Sequence, residues 1–299
     1  MRKIFIISML FTYNVFAINL GSIATASNNG VYYKMGKDIS SILSPYKIQL
    51  KPVSTDGSFE NISILDGHDV KHKNTYFAIV QKDAISYYNF TQRTSSGKNM
   101  YNKIPAVLSL GTEQIHIFTS KNNNFNFENR KTYKVYCGQS EGGSCISAEY
   151  IEKAYNFKFI YVNTKKETVE QKLQNGMLDL YISVISAPAK KYENMKNLKL
   201  VSLPTNLIMD TMYTHKNVNT SIYDWVDESI DMYSVPRVLI TSLTDKQYDV
   251  VIDSIVKIIL KNRNKLKIQY PDVWGNINYE YVSYKNFSKV SKEIINKTF

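Results

Sequence analysis

GSIATASNNGVYYKMG, residues 21–36, joins a short apolar strand, Ile18–Leu20, to a helix through small polar residues. A strand that gives out in Ser27, Asn28, Asn29 and Gly30 just before a helix leaves several backbone N–H groups without partners. Such groups face a ligand more often than they face a core. The expectation is an anion-binding turn.

Two further strand ends have the same make-up. Ser54-Thr55-Asp56-Gly57-Ser58 follows a strand ending at Val53 and leads into a helix through Phe59, Ile62 and Leu65, and Gly138–Ser144 follows a strand over Tyr133–Cys137. Each offers hydroxyls, glycine and a helix N-terminus. In open α/β sheets ligands collect at the carboxyl ends of strands. One such loop is an ordinary helix cap; three together point to a site.

Outward from these loops, strand candidates recur with helical stretches between them: Ile48–Val53, Tyr76–Val80, Val107–Leu110 running into Gln114–Thr119, Phe157–Val162, Leu180–Val184 and Leu198–Leu203. Alternation of this kind favours parallel sheets with helical crossovers, so the fold class is α/β. A last long helix, about Asp245–Lys267, is expected to dock on a core through Val250, Val251, Ser254, Ile255, Ile258 and Ile259. The polar runs Thr91–Asn102 and Asn122–Asn129 read as surface loops.

The first 17 residues have the form of a removable secretory leader: basic Arg2 and Lys3, an apolar run Ile4–Phe11, and Val15-Phe16-Ala17 as a small-residue cleavage site. The apolar run is well short of the ~20 residues a membrane span needs. Removing the leader with its two basic residues takes the chain from 299 residues at +11 to 282 residues at +9. A chain of that length typically splits into two lobes. Lysine is scattered among Asp and Glu with no dense basic run, which argues against a nucleic-acid partner, while the positive excess favours an acidic solute. In an exported protein the close pair Cys137 and Cys145 is most simply a disulfide, which would brace the third glycine loop.

In this order the segments resemble the TAXI family of solute-binding proteins, the extracytoplasmic receptors of tripartite, TRAP-type secondary transporters. The family's GTGSTGGVYYPLG-like run is matched by ATASNNGVYYKMG, Ala24–Gly36, and its STGGS-EN-L-L--G pattern by Ser54–Gly67. Its A-VQ-D is matched by Ala78–Asp83, its SL-PE-LH by Ser109–His116, its VG--GSGT by Cys137–Ser144, its L--G-ID by Leu173–Asp179 and its VR-LLVT by Val235–Thr241. Three family glycines of the first loop stand here as Ala24, Ala26 and Asn29, the usual proline is Lys34, and His68–Asn74 looks like an insertion.

The resemblance implies a two-lobed type II periplasmic-binding-protein fold, each lobe a mostly parallel sheet flanked by helices, with crossings near Ser109–Thr119 and Val235–Thr241. Lobe one would comprise residues 18–110 together with 237–299, the return crossing and C-terminal helices, and lobe two residues 111–236. It further implies a periplasmic, monomeric receptor, not an enzyme, that needs no cofactor or metal. Its ligand would be a small carboxylate, an amino acid such as glutamate or a dicarboxylate, handed to the TRAP-type membrane permease. On this reading Ser27, Asn28, Gly30, Val31 and Tyr32 bind through backbone N–H groups and short side chains. Thr55, Gly57 and Ser58 form a second donor set, and Gln81 donates or accepts at its strand end. Glu113 is positioned to meet an ammonium group, and Gly142, Gly143 and Ser144 close from the other lobe. Tyr32 as core packing, Gln81 as a strand cap and Ser144 as a helix cap are the structural alternatives.

Other chemistries compete. Gly138-Gln139-Ser140-Glu141-Gly142 is literally GxSxG at a strand-to-helix turn, and Ser140 followed by Asp179 or Asp210 and then His215 has the chain order of a secreted serine hydrolase. No HGGG-like oxyanion segment precedes it. His68 and His72 stand at metal-ligand spacing for a helix, without an evident third ligand. A receptor that docks on a sensor rather than a permease would use the same closure.

Overall fold

The structure is a computed structural model, and it describes residues 17–69, 71–92, 103–123, 125, 132–218, 222–275, 277, 279, 288, 291–292 and 294. All of the expected leader but Ala17 lies outside these residues, as do most of the two polar runs 91–102 and 122–129.

The first half of the chain builds three parallel strands. β1 (Ile18–Ala24) runs between β2 (Ile48–Val53) and β3 (Thr75–Gln81), connected by helices α1 (Val31–Leu43) and α2 (Ser58–Asp66). Helix α3 (Lys82–Thr91) follows β3 directly. The chain then enters β4 (Ala106–Ser120), a single 15-residue strand where the sequence suggested two segments in succession. A second parallel group follows, in which β5 (Thr132–Tyr136) lies between β6 (Lys158–Tyr161) and β7 (Leu180–Ile185), joined by α4 (Gly143–Ala154) and α5 (Val169–Gln174). After short strands β8 (Leu198–Leu200) and β9 (Thr214–Val218), with the one-turn helix α6 (Leu207–Asp210) between them, β10 (Ile230–Thr241) returns to the first group. The C-terminal part is helical: α7 (Asp249–Lys261), α8 (Arg263–Gln269) and α9 (Pro271–Trp274).

All strands join one sheet, with the central path β2-β1-β3-β10-β4-β7-β5-β6. Its middle is antiparallel. β10 pairs with β3 through Arg237–Thr241, and its neighbour β4 pairs with β7 through Gln114–Phe118, so the two long adjacent strands link the parallel groups, with β9 on β10 through Ile230–Ser234. Pro236 sits where the β10–β4 register shifts, a place that tolerates a residue with no N–H to donate.

The apolar side chains gather on either side of this junction. One core is built from residues 20–110 and 238–294, with Ile146 added from α4. Two others are built from residues 115–235, one around Tyr133, Ile182 and Tyr233, the other an aromatic cluster around Phe118, Tyr192 and Trp225. In the first, Ile252, Ile255, Val256 and Ile259 of α7 are buried, a spacing of three, four and seven that lines one helical face. This face is rotated from the expected one: Val250 is 76% exposed, and the helix stops at Asn262 instead of running on to Lys267. Trp274 in α9 is buried and its indole N–H donates to Asp38 Oδ2 at 2.8 Å, which ties the C-terminal helices to α1.

Candidate functional site

Four helices, α1, α2, α3 and α4, begin directly after the strand ends described above, and none has a side chain bonded at its N-cap. Their N-caps are Gly30, Gly57, Gln81 and Gly142. By contrast, α6 is capped conventionally, with Asn206 Oδ1 accepting from Ile208 and Met209. The four N-caps line one cleft of about 690 Å³ between the two groups of parallel strands. At α1, α2 and α4 the start leaves N–H groups and the positive end of a helix dipole turned toward this space, whereas in the first turn of α3 Ala84 N is bonded to the buried Asp83.

Glycine is required where the loops meet. Gly57 has φ of +130°, and a Cβ there would lie 3.2 Å from the Cα of Gly142 across the cleft. A Cβ on Gly143 would lie 1.8 Å from Gln81 Oε1. The Gln81 side chain reaches over this gap: Nε2 donates to the carbonyl of Gly143 at 3.4 Å and to Ser147 Oγ at 3.4 Å. Beside it, fully buried Asp83 accepts from Ser147 Oγ at 2.8 Å, Tyr213 OH at 2.7 Å and its neighbour's backbone, Ala84 N, at 2.9 Å. Burial pushes the Asp83 carboxyl up, and these donors oppose the shift. At the rim Gln139 Nε2 donates to Asp56 Oδ1 at 3.1 Å.

The floor is a buried ion pair. Arg237 on β10 donates from NH1 to Glu113 Oε1 at 3.2 Å and from Nε and NH2 to the carbonyl of Leu110 at 3.1 and 2.9 Å. Tyr32 OH donates to the other oxygen, Oε2, at 2.6 Å. Burial raises the Glu113 carboxyl while Arg237 and Tyr32 draw it down. Both Glu113 oxygens are therefore engaged by the protein, one by Arg237 and one by Tyr32, while the side chain also lines the cleft.

Of the residues singled out in the sequence, Ser27, Gly30, Val31, Tyr32, Gly57, Ser58, Gln81, Glu113, Gly142, Gly143 and Ser144 line the cleft. Asn28 and Thr55 do not. Asn28 is exposed at the turn and its neighbour Asn29 lines the cleft instead. Thr55 is buried, and its hydroxyl donates to Asn61 Oδ1 at 2.7 Å, orienting an amide that bonds the carbonyls of Thr25 and Ile79. Two hydroxyls in the cleft wall also have structural work: Ser58 Oγ accepts from Gln81 N, and Ser144 Oγ from Val184 N. Cys137 and Cys145 are bonded, with their Cα atoms 5.0 Å apart, and staple the end of β5 to the first turn of α4.

The lysines of the cleft carry no motif, and the sequence reading missed them. Lys34, Lys166, Lys190 and Lys191 all line it. Lys191 Nζ lies 3.4 Å from Ser183 Oγ and 4.5 Å over the Tyr192 ring. Lys191 is exposed, yet the crowding around its ammonium group and the nearby charge of Lys166 lower its pKa to about 7, with Glu113 pulling the other way. A lysine held near neutrality gains its charge when an anion arrives.

The competing chemistries fare differently. His215 Nε2 lies 3.2 Å from the carbonyl of Leu203 and 4.0 Å from Asp231, Asp179 Oδ2 accepts from Lys134 N, and Asp210 accepts from Tyr233 OH. None of these groups is oriented by Ser140, which is exposed on the loop. His68 turns to Asp66 at 3.1 Å, so the two histidines of the spacing do not share a site. Among the described residues the grouping that could hold a metal ion is Glu60, Asp69 and His72, with ligand atoms within 4.8 Å of one another. The His72 Nδ1 to Asp69 Oδ2 contact of 2.9 Å already pairs two of them. No helix among the described residues is long and apolar enough to cross a membrane.

The NMT1-like family model matches residues 23–271, which takes in all four helix starts and both central strands. The chain belongs to the NMT1-like family. No curated protein sequence matches this NMT1-like chain. Among solved structures it is similar to a TctC solute-binding protein from Polaromonas, at 16% identity over 96% of this chain and 97% of that one, with a TM-score of 0.50. It is similar also to MatC from Rhodopseudomonas palustris with bound malate, at 8% identity over 94% and 97% with a TM-score of 0.55. A third is the periplasmic sulfonate-binding protein SsuA from Methylobacillus flagellatus, at 15% over 95% and 78% with a TM-score of 0.50. At such identities the likeness is one of fold, the two-lobed fold of periplasmic solute-binding proteins, and the NMT1-like chain has that fold.

Proposed function

We propose that this NMT1-like protein is an extracytoplasmic receptor of the TAXI type that captures a small carboxylate between its lobes and delivers it to a TRAP-type membrane permease. The observation that carries the reading is the convergence of three helix N-termini, α1, α2 and α4, uncapped by side chains, on one cleft that also displays four lysines. Uncapped N–H groups and helix dipoles suit an anion, and at micromolar affinity the binding free energy is about −8 kcal/mol, within reach of several charge-assisted hydrogen bonds. Lobe one is residues 18–110 with 237–299 and lobe two is residues 111–236; this division is supported by the separate cores on either side of β4 and β10. The receptor works as a monomer in the periplasm, reached through a leader over residues 1–17.

A thermal-shift screen of the purified protein against amino acids and mono- and dicarboxylates tests the reading, since a ligand bound by the native state raises the melting temperature by mass action. At least one carboxylate is expected to raise it, and Gly143→Ala, which drives a methyl group into Gln81, to weaken that shift. A rise with neutral sugars alone refutes the carboxylate assignment.

A further inference from the structure

Along β7 the side chains alternate. Leu180 and Ile182 enter the core around Tyr133 and Tyr233, while Tyr181, Ser183 and Ile185 turn to the other face, where all three line the cleft. Ser183 is the small polar member of that row and is 5% exposed. The next residue, Val184, donates its N–H to Ser144 Oγ at 2.9 Å, so Ser183 stands beside the start of α4, one of the helix N-termini that face the cleft.

The Ser183 hydroxyl is held from behind. Tyr192 OH donates to Ser183 Oγ at 2.5 Å, and Lys191 Nζ donates to the same oxygen at 3.4 Å. Tyr192 is itself fixed: its carbonyl accepts from Trp225 Nε1 at 2.8 Å, its ring packs edge-on against Phe118 with centroids 4.7 Å apart, and its hydroxyl lies 3.3 Å from Tyr181 OH. Burial pushes the Tyr192 phenol well above its ordinary pKa, so it keeps its proton and remains a donor. A hydroxyl has two lone pairs and one proton. With Tyr192 and Lys191 on the lone pairs, the proton of Ser183 is left over, and among the described residues no acceptor takes it. His116, which pairs with Ser183 across the sheet, is occupied by Tyr223 and the carbonyl of Gln114. Ser186, a second serine of this wall, donates to the carbonyl of Thr112 at 3.1 Å and has no proton to offer. A buried donor that the protein orients and leaves unmatched loses its water when the cleft fills, at a cost that only an acceptor on the guest offsets.

We infer that Ser183 donates its proton to an oxygen of the captured solute other than the carboxylate held by the helix N-termini, which makes it a specificity-determining residue: acids that carry an oxo oxygen within its reach are taken in preference to their plain alkyl counterparts. The inference rests on the carboxylate-receptor reading. A donor that faces a methylene group gains nothing for the water it gives up, so the alkyl acid is penalised by about the worth of one hydrogen bond, roughly threefold to tenfold in affinity. Tyr192 is a positioning residue, because the lone pair it fills fixes where the Ser183 proton points.

The test is calorimetric titration of the purified protein with butanoate, pentanoate and hexanoate, each beside its 2-oxo derivative, and with 4-oxopentanoate and 5-oxohexanoate. At least one oxo-acid is expected to bind about threefold to tenfold more tightly than its parent. Ser183→Ala is expected to bring that ratio to one by weakening the oxo-acid and leaving the parent unchanged, whereas Ser183→Thr, which keeps the hydroxyl, preserves it. Tyr192→Phe is expected to lower the ratio with the serine still in place, a change that a purely structural role for the tyrosine would not produce. Melting curves report whether each variant folds, and if Ser183→Ala does not, Tyr192→Phe carries the test. Oxo-acids that bind no more tightly than their parents overturn the inference, as does an unchanged ratio in the folded variant that carries the test. If none of these acids binds, the carboxylate reading itself falls, an outcome distinct from equal binding of oxo-acid and parent.

Discussion

Replacing Glu113 with glutamine leaves the guanidinium of Arg237 buried without its counter-charge. Arg237 and Glu113 are 1% and 3% exposed, and at 3.2 Å with an effective dielectric constant of 20 the attraction lost is about 5 kcal/mol. The two bonds from Arg237 to the Leu110 carbonyl survive, and the glutamine oxygen still accepts one donor, so the net loss falls at about 3–5 kcal/mol. For a chain of this size that is a fall in melting temperature on the order of 10 °C. Urea unfolding followed by circular dichroism measures it. The double variant Glu113→Gln with Arg237→Met, which removes both charges, is expected to regain at least half of the loss, because an isolated buried charge costs more than the absence of the pair. Lys257→Ala, which breaks the exposed pair with Asp253, serves as the control and is expected within about 0.5 kcal/mol of the native protein. If Glu113→Gln behaves like that control, the pair is not the buried floor described above.

Two further outcomes follow from other parts of the structure. His116 is buried between Tyr223 OH and the carbonyl of Gln114, and burial lowers its pKa to about 3. Between pH 6.5 and 3 the unfolded chain binds a proton there that the native state does not, so stability falls with acid by up to about 1.4 kcal/mol per pH unit; acid titration of the unfolding free energy should show a shallower slope in His116→Gln. The Cys137–Cys145 bridge closes a loop of eight positions, and its removal by Cys137→Ser with Cys145→Ser is expected to cost about 2–3 kcal/mol. Reductant should lower the melting temperature of the native protein and leave that of the double serine variant unmoved.

The parts of the molecule that were legible from sequence are those set by neighbours along the chain. β2 appears with the expected bounds, Ile48–Val53, and the strand over Leu180–Val184 is one residue longer; the turn chemistry of the three loops is equally local. Pairing between distant residues was not legible. Glu113 and Arg237 stand 124 positions apart and Asp83 and Tyr213 130, and nothing in either local context announces the other. The stripe on α7 was legible in part: Ile255, Ile258 and Ile259 are buried as expected and Val251 packs against the core, but which of two adjacent faces turns inward is decided by the fold beneath, which leaves Val250 in solvent. Lys166, Lys190 and Lys191 were invisible because lysine is common throughout this chain, and only the folded walls separate those in the cleft from those outside it.

The seam at Asp83 bears on how often the halves can part. Carboxylate, hydroxyl and amide groups make up the contacts of Asp83, Ser147, Tyr213 and Gln81, with Ile146 and Tyr150 adding a small apolar spot. Water can replace each of those hydrogen bonds as the surfaces separate, so the exposed faces are wetted rather than made sticky. An oily seam of the same extent would hold shut or recruit strangers when opened. A join made of exchangeable bonds lets the two halves part and meet again without leaving an oily face behind.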